Sequence, residues 1–148
     1  MKNMIRVALI TMPSKAKQNI ILCSGYTPPS TALIERIEKA CGENGSVELS
    51  EDVSLKSPER DPNVQSIVIL DLPNIKQSAL NTIQAITKNS ADSKIIAIHI
   101  YTTKLLIEPL IQAGIHGYMM YEPTVTELRE AIVSVSNNEL YLPSRISI

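Results

Sequence analysis

Four short apolar runs constrain this chain's fold more than any other feature: NIILC (19–23), SIVIL (66–70), KIIAIHI (94–100) and GYMMY (117–121). Each has the length of a strand and is too short for a helix of ordinary size. SIVIL is apolar at four positions in a row, so a strand there must be covered on both faces. SVELS (46–50) alternates and reads as a further strand.

Between these runs the period changes to that of a helix. Leu33, Ile37, Ala40 and Cys41 fall on one helical face, with Ser30 placed to cap the start and Gly42 to end it. Glu35 and Lys39 form an i,i+4 pair on the outside. In QSALNTIQAITKN the inward positions read as Ala79, Leu80, Ile83 and Ile86. TTKLLIEPLIQAG ends at Gly114 but carries Pro109 near its middle. An interior proline costs about 3 kcal/mol, so this helix either kinks or starts near Glu108. The best-marked helix is TVTELREAIVSVSNN: Thr124 and Glu127 form a capping box, and Leu128, Ala131, Ile132 and Val135 face inward. The polar stretch EDVSLKSPERDPNVQ (51–65), with two prolines, reads as a loop with at most one helical turn. The tail ELYLPSRISI reads as extended, because Pro143 blocks a helix.

Strands alternating with helices imply an α/β fold with a parallel sheet covered on both sides. Five strands in this spacing match the flavodoxin-like doubly wound order 2-1-3-4-5. Residues 1–18 are surplus to that plan and are expected to form an N-terminal extension able to add an edge strand. Residues 19–140 form the main domain, and 141–148 begin a linker.

At 148 residues, 44% hydrophobic and 20% charged, the chain is sized for one domain with a real core. A net charge of −1 gives no general attraction to nucleic acid, and the absence of Phe and Trp leaves no base-stacking platform. Cys23 and Cys41 lack metal-ligand spacing and read as buried thiols in a reducing, cytoplasmic compartment. His99 and His116 have no ligand cluster around them. MKNMIRVALITMPSK has a basic start, but its apolar stretch is only Val7–Met12 and no cleavage site follows. No segment approaches the ~20 apolar residues of a membrane span. A nucleophile elbow, an HExxH pattern and a Gly-rich phosphate loop are all missing, and no cofactor is expected.

In a sheet of this kind chemistry gathers at the carboxyl ends of the strands. Those ends carry Cys23-Ser24-Gly25, Asp71, His99, and Tyr121 followed by Glu122. The stretch from KIIAIHI to ELYLPSRI, with its AG..GY element, capped last helix and E.YLP ending, resembles the end of a response-regulator receiver domain of the LuxR type. SIVILDLPN resembles that family's third strand, with Asp71 at the phosphate-accepting aspartate. The resemblance covers residues 19–145.

It implies a site of five groups: two acids after the first strand, the acceptor aspartate, a Ser or Thr after the fourth strand and a Lys after the fifth. The corresponding residues here are Ser24, Gly25, Asp71, His99 and Tyr121, so only Asp71 is retained. Magnesium needs hard oxygen ligands, and phosphoryl transfer needs cations to neutralise developing charge. The expectation is therefore a pseudo-receiver: not an enzyme, and acting through dimerisation or a protein partner. In this family the face built from the fourth helix, fifth strand and fifth helix mediates dimerisation. Tyr118, at the family's coupling aromatic, and Pro109 and Glu122 are the switch and interface candidates. DNA contact would belong to a C-terminal helix-turn-helix outside this chain. Asp71 has a purely architectural reading, as an acceptor for the loop after its strand. His99 either pairs with Asp71 as a pH switch or is an ordinary half-buried histidine. A domain that senses a small, nucleotide-like ligand is the alternative. A flavodoxin-like enzyme is disfavoured, because His99 and Asp71 have no third catalytic member.

Overall fold

The structure, a computed structural model, describes residues 18–23, 31–42, 45–50 and 65–146. The expectations for residues 1–17, for Ser24, Gly25 and Ser30, and for the 51–64 loop lie outside the described residues.

The described elements are β1 (Gln18–Cys23), α1 (Thr31–Cys41), β2 (Gly45–Ser50), β3 (Gln65–Asp71), a short 3-10 turn (Leu72–Asn74), α2 (Ala79–Asn89), β4 (Lys94–His99), α3 (Lys104–Ala113), β5 (Gly117–Met120) and α4 (Val125–Ser136). The strands form one parallel sheet in the order β2-β1-β3-β4-β5, as the alternation predicts. The uninterrupted apolar runs are strands with a helical layer on each side. Ile21, Val68, Leu70, Ile95, Ala97, Tyr118 and Met120 meet Ile83 and Ile86 of α2 and Ile107 and Leu110 of α3. Ile20, Leu22, Ile67, Ile69, Ile96, Ile98 and Met119 meet Leu33 and Ile37 of α1 and Leu128, Ala131, Ile132 and Val135 of α4. Each fully buried Ile or Leu contributes about 1.5–3 kcal/mol, so the central strands carry much of the stability.

The helix ends follow local chemistry. Thr124 accepts from Glu127 N–H at 3.1 Å while Glu127 Oε1 accepts from Thr124 N–H at 3.1 Å, which completes the capping box. Ser78 caps α2 by accepting from Asn81 N–H at 3.1 Å. Gly114, at φ 122°, ends α3 and donates to the Leu110 and Ile111 carbonyls.

Several expectations are corrected. Leu80 is 41% exposed and Thr82 takes a buried place in α2. At 100° per residue the stripe centres between Ile83 and Ile86, on the side of Ala79 and Thr82, which leaves Leu80 at its far edge. β4 stops at His99, and Ile100 is 64% exposed. α3 begins at Lys104 and keeps Pro109 inside, so the late start near Glu108 is not what forms. Without an N–H, Pro109 leaves the Leu105 carbonyl outside the i→i−4 ladder. Cys41 is half-buried rather than buried. Its thiol is pushed up to about 11, by burial first and by Glu38 second.

The tail is not extended throughout, since Ser144 and Arg145 form a turn closed by Ile146 N–H to Pro143 O, and it packs on the domain. Tyr118 N–H donates to Tyr141 O at 2.9 Å and Tyr141 N–H to His116 O at 3.1 Å, so the tail covers the outer edge of β5. Tyr141 packs on one core layer and Leu142 and Ile146 on the other. Arg145 and Glu127 add an ion pair at 3.1 Å. Tyr141, Leu142 and Ile146 thus pack against the body of the domain. Among the described residues no helix is long and apolar enough to cross a membrane.

Candidate functional site

The carboxyl ends of β3, β4 and β5 bring three of the expected residues into one neighbourhood. Asp71 pairs in register with Ile98, and His99 with Met120, one residue before Tyr121. Asp71 is 1% exposed. Its Oδ2 accepts from Asn74 Nδ2 at 2.6 Å, across the 3-10 turn that Pro73 helps to start. The Asn74 side chain, three residues on, is thus one donor to Asp71 from the loop in which the sequence reading expects backbone donors.

His99 is half-buried, and its Nδ1 is buried with no hydrogen-bond partner among the described residues. Burial lowers its pKa below the usual 6.5, and the Asp71 charge opposes that more weakly. The His99 ring packs on Tyr101 with centroids 4.3 Å apart at 42°.

Tyr121 is 43% exposed and tied to β4 through its N–H, which donates to His99 O at 3.0 Å. The Tyr121–Glu122 peptide bond is cis. Glu122 turns toward α1 and pairs with Arg36 at 3.3 Å. That pair is exposed and worth at most about 1 kcal/mol. Tyr118 is fully buried, so it contributes no surface of its own. Its hydroxyl donates to Tyr101 O at 2.7 Å, just before α3 begins, and burial raises its pKa above the ordinary tyrosine range. Pro109 lies exposed on α3. The sequence reading missed Tyr101, which touches both His99 and Tyr118. Its position two residues after a strand was the only available signal.

The donor set at these strand ends is one carboxylate, one imidazole and one phenol. Among the described residues no three His, Cys, Asp or Glu side chains gather in a way that would hold a metal ion.

A parallel sheet in the order 2-1-3-4-5, with an aspartate ending the third strand, invites comparison with known proteins. The isolated receiver domain of RcsB from Salmonella enterica serovar Typhimurium superimposes with a TM-score of 0.67 at 17% identity, covering 88% of this chain and 96% of that one. The chain has the receiver-domain fold. A LuxR family DNA-binding response regulator from Silicibacter pomeroyi matches with a TM-score of 0.65 at 19% identity, covering 86% of this chain and 98% of that one. In sequence, the response regulator UvrY of Escherichia coli K12 is 29% identical over 85 residues, which is 57% of this chain and 39% of UvrY. The chain thus spans about two fifths of that curated relative's length. No protein-family model matches the chain. The resemblance to LuxR-type receivers read from the sequence is borne out by these similarities.

Proposed function

We propose that this receiver-like domain is the regulatory part of a LuxR-type transcription regulator and works without the usual phosphorylation chemistry. The observation that carries this is the donor set around Asp71. His99 and Tyr121 occupy the places of the Ser/Thr and the Lys, and Ser24 and Gly25 bring no carboxylate. A single carboxylate already engaged by Asn74 is a thin ligand set for magnesium. Neutral Tyr121 offers no fixed positive charge to a phosphoryl group. The residues present do not fit a magnesium-assisted transfer, so Asp71 serves as an architectural anchor for the loop after β3.

Output would run through association of two copies on the α3–β5–α4 face, where α3 and α4 flank β5 as the family's fourth and fifth helices do and where the tail residue Tyr141, paired along β5, forms part of the face. Ile100, Leu105, Leu106 and Tyr121 are 64%, 82%, 49% and 43% exposed around the start of α3 and the end of β5. Four sizeable apolar side chains exposed so close in the fold suit a partner surface. Pro109 lies exposed one turn further along α3, and Glu122 follows Tyr121 but pairs with Arg36 of α1. DNA contact would belong to a helix-turn-helix on a further segment.

The experiment combines labelling with solution mass. The chain is incubated with Mg²⁺ and acetyl phosphate, and separately with beryllofluoride, then examined by intact mass and light scattering. The expected result is no adduct at Asp71 and an unchanged, dimeric mass that Leu105→Asp reduces to monomer. Stoichiometric labelling of Asp71 would refute phosphorylation independence. A monomeric wild type would refute the dimer.

A further inference from the structure

The outer half of the sheet holds a cavity at the end opposite Asp71. It has a volume of about 260 Å³ and is walled by Ile111 of α3, Ile115, Val135 of α4 and Leu140 of the tail. Two cationic or donor side chains, Lys94 and His116, also line it. Lys94 opens β4 and His99 closes it. Five residues of strand rise place the cavity ~17 Å from the Asp71 neighbourhood.

His116 is held in one tautomer. Its Nδ1 accepts the Ile95 N–H at 3.0 Å, while its own backbone N–H donates to Ile95 O at 2.8 Å. The proton of the neutral ring therefore sits on Nε2, which is left as a donor. Burial and the Lys94 charge both lower the His116 pKa, so the ring stays neutral beside the ammonium group. Lys94 and His116 line the cavity together with Ile111, Ile115, Val135 and Leu140, a combination of cation, N–H donor and aliphatic side chains that suits a carboxylate on an apolar body.

Size narrows the choice. Drug-sized ligand pockets start at ~300 Å³, so this one suits a molecule of fewer than about ten heavy atoms. Leu140 is 50% exposed at the rim, where a bound aliphatic chain would cover it. Glu139 also lines the cavity and could accept from an ammonium group on the same ligand.

We propose that this cavity binds a small, branched aliphatic carboxylate through Lys94 and His116, with Leu140 folding over the apolar end. The chemistry is shared by two sources, branched aliphatic amino acids and simple branched short-chain acids. The site stands independently of the Asp71 chemistry and of dimerisation, so its failure leaves that reading untouched.

The test is titration of the full chain with leucine, 4-methylpentanoate and, as a control without the carboxylate, 3-methylbutylamine. Binding is followed by amide chemical shifts and thermal melting. Expected are saturable shifts at Ile95, His116 and Leu140 with a dissociation constant of about 1 mM or tighter for at least one carboxylate. The amine should leave them unmoved. Tighter binding of leucine than of 4-methylpentanoate assigns the amino-acid source, and the reverse assigns the simple acids. Lys94→Gln should weaken binding about tenfold or more, and Leu140→Ala, at an exposed position, should weaken it without unfolding the chain. Absence of saturation by either carboxylate, equal binding of the amine, or unchanged affinity in Lys94→Gln would overturn the proposal.

Discussion

Tyr118→Phe isolates one buried hydrogen bond in the path from the strand ends to α3. Tyr118 is 0% exposed, and its hydroxyl donates to Tyr101 O at 2.7 Å. Phenylalanine keeps the ring in the core between α3 and the sheet and leaves no large cavity. The loss is then the net value of one hydrogen bond, ~1 kcal/mol, plus part of the penalty for a carbonyl left without its donor. Because Tyr101 is half-buried, water recovers some of that penalty. The expected destabilisation is about 1–2 kcal/mol. Tyr118→Ala removes the ring as well and should cost about 3–5 kcal/mol, a large share of a typical domain's ~5–15 kcal/mol. The chain has no Trp, so urea unfolding at pH 7.5 is best followed by far-ultraviolet circular dichroism. Hydrogen exchange should also quicken at residues 101–106 in the Phe variant, since the bond pins the backbone that leads into α3. A Phe variant within ~0.3 kcal/mol of wild type, with unchanged exchange at 101–106, would refute the claim that this bond holds the start of α3.

Three further outcomes follow from the same structure. Leu80→Lys should leave stability within about ±0.5 kcal/mol because Leu80 is at the exposed edge of α2, whereas Ile83→Ala should cost about 2–5 kcal/mol; urea midpoints separate the two. Gly114→Ala should cost about 1–3 kcal/mol, because φ is 122° and the new Cβ would meet Thr87 Cγ2 at 3.1 Å. Gly42→Ala, at φ 61° with nothing within 4 Å, should cost only ~1 kcal/mol in the same assay. His99 and His116 both have pKa values lowered from 6.5 chiefly by burial, so the unfolded chain binds their protons more readily than the folded one. Stability should therefore be level above about pH 7.5 and fall as pH drops through 6.5 toward the folded-state values. A urea midpoint that rises between pH 7.5 and 5.5 contradicts this.

Much of the fold was legible because its signals are local. The runs around Ile20, Val68 and Ile96 have no polar face, and a strand without a polar face has to sit between two layers. The Thr124–Glu127 box and the Gly42 and Gly114 stops act within one turn of backbone, so residue type alone exposes them. Leu80 and Ile100 misled for the same reason in reverse: apolar identity and rough periodicity do not say where a stripe or strand ends. The gathering of Asp71, His99 and Tyr121 was legible in outline, since strand ends in this topology converge. Its contacts were not, because Asn74 and Tyr101 reach their partners through turns whose geometry leaves little mark on sequence.

The amino-acid order by itself determined the element types, their sequence of strands and helices, and the placing of Asp71, His99 and Tyr121 at successive strand ends. Those properties reside in each residue's own chemistry and near neighbours. Only the folded chain decided that Tyr141 pairs along the edge of β5, that Tyr118 spends its hydroxyl on the Tyr101 carbonyl, and that Lys94 and His116 line one cavity. Each of these depends on distances between segments far apart in the chain, set by how the sheet and its two helical layers pack.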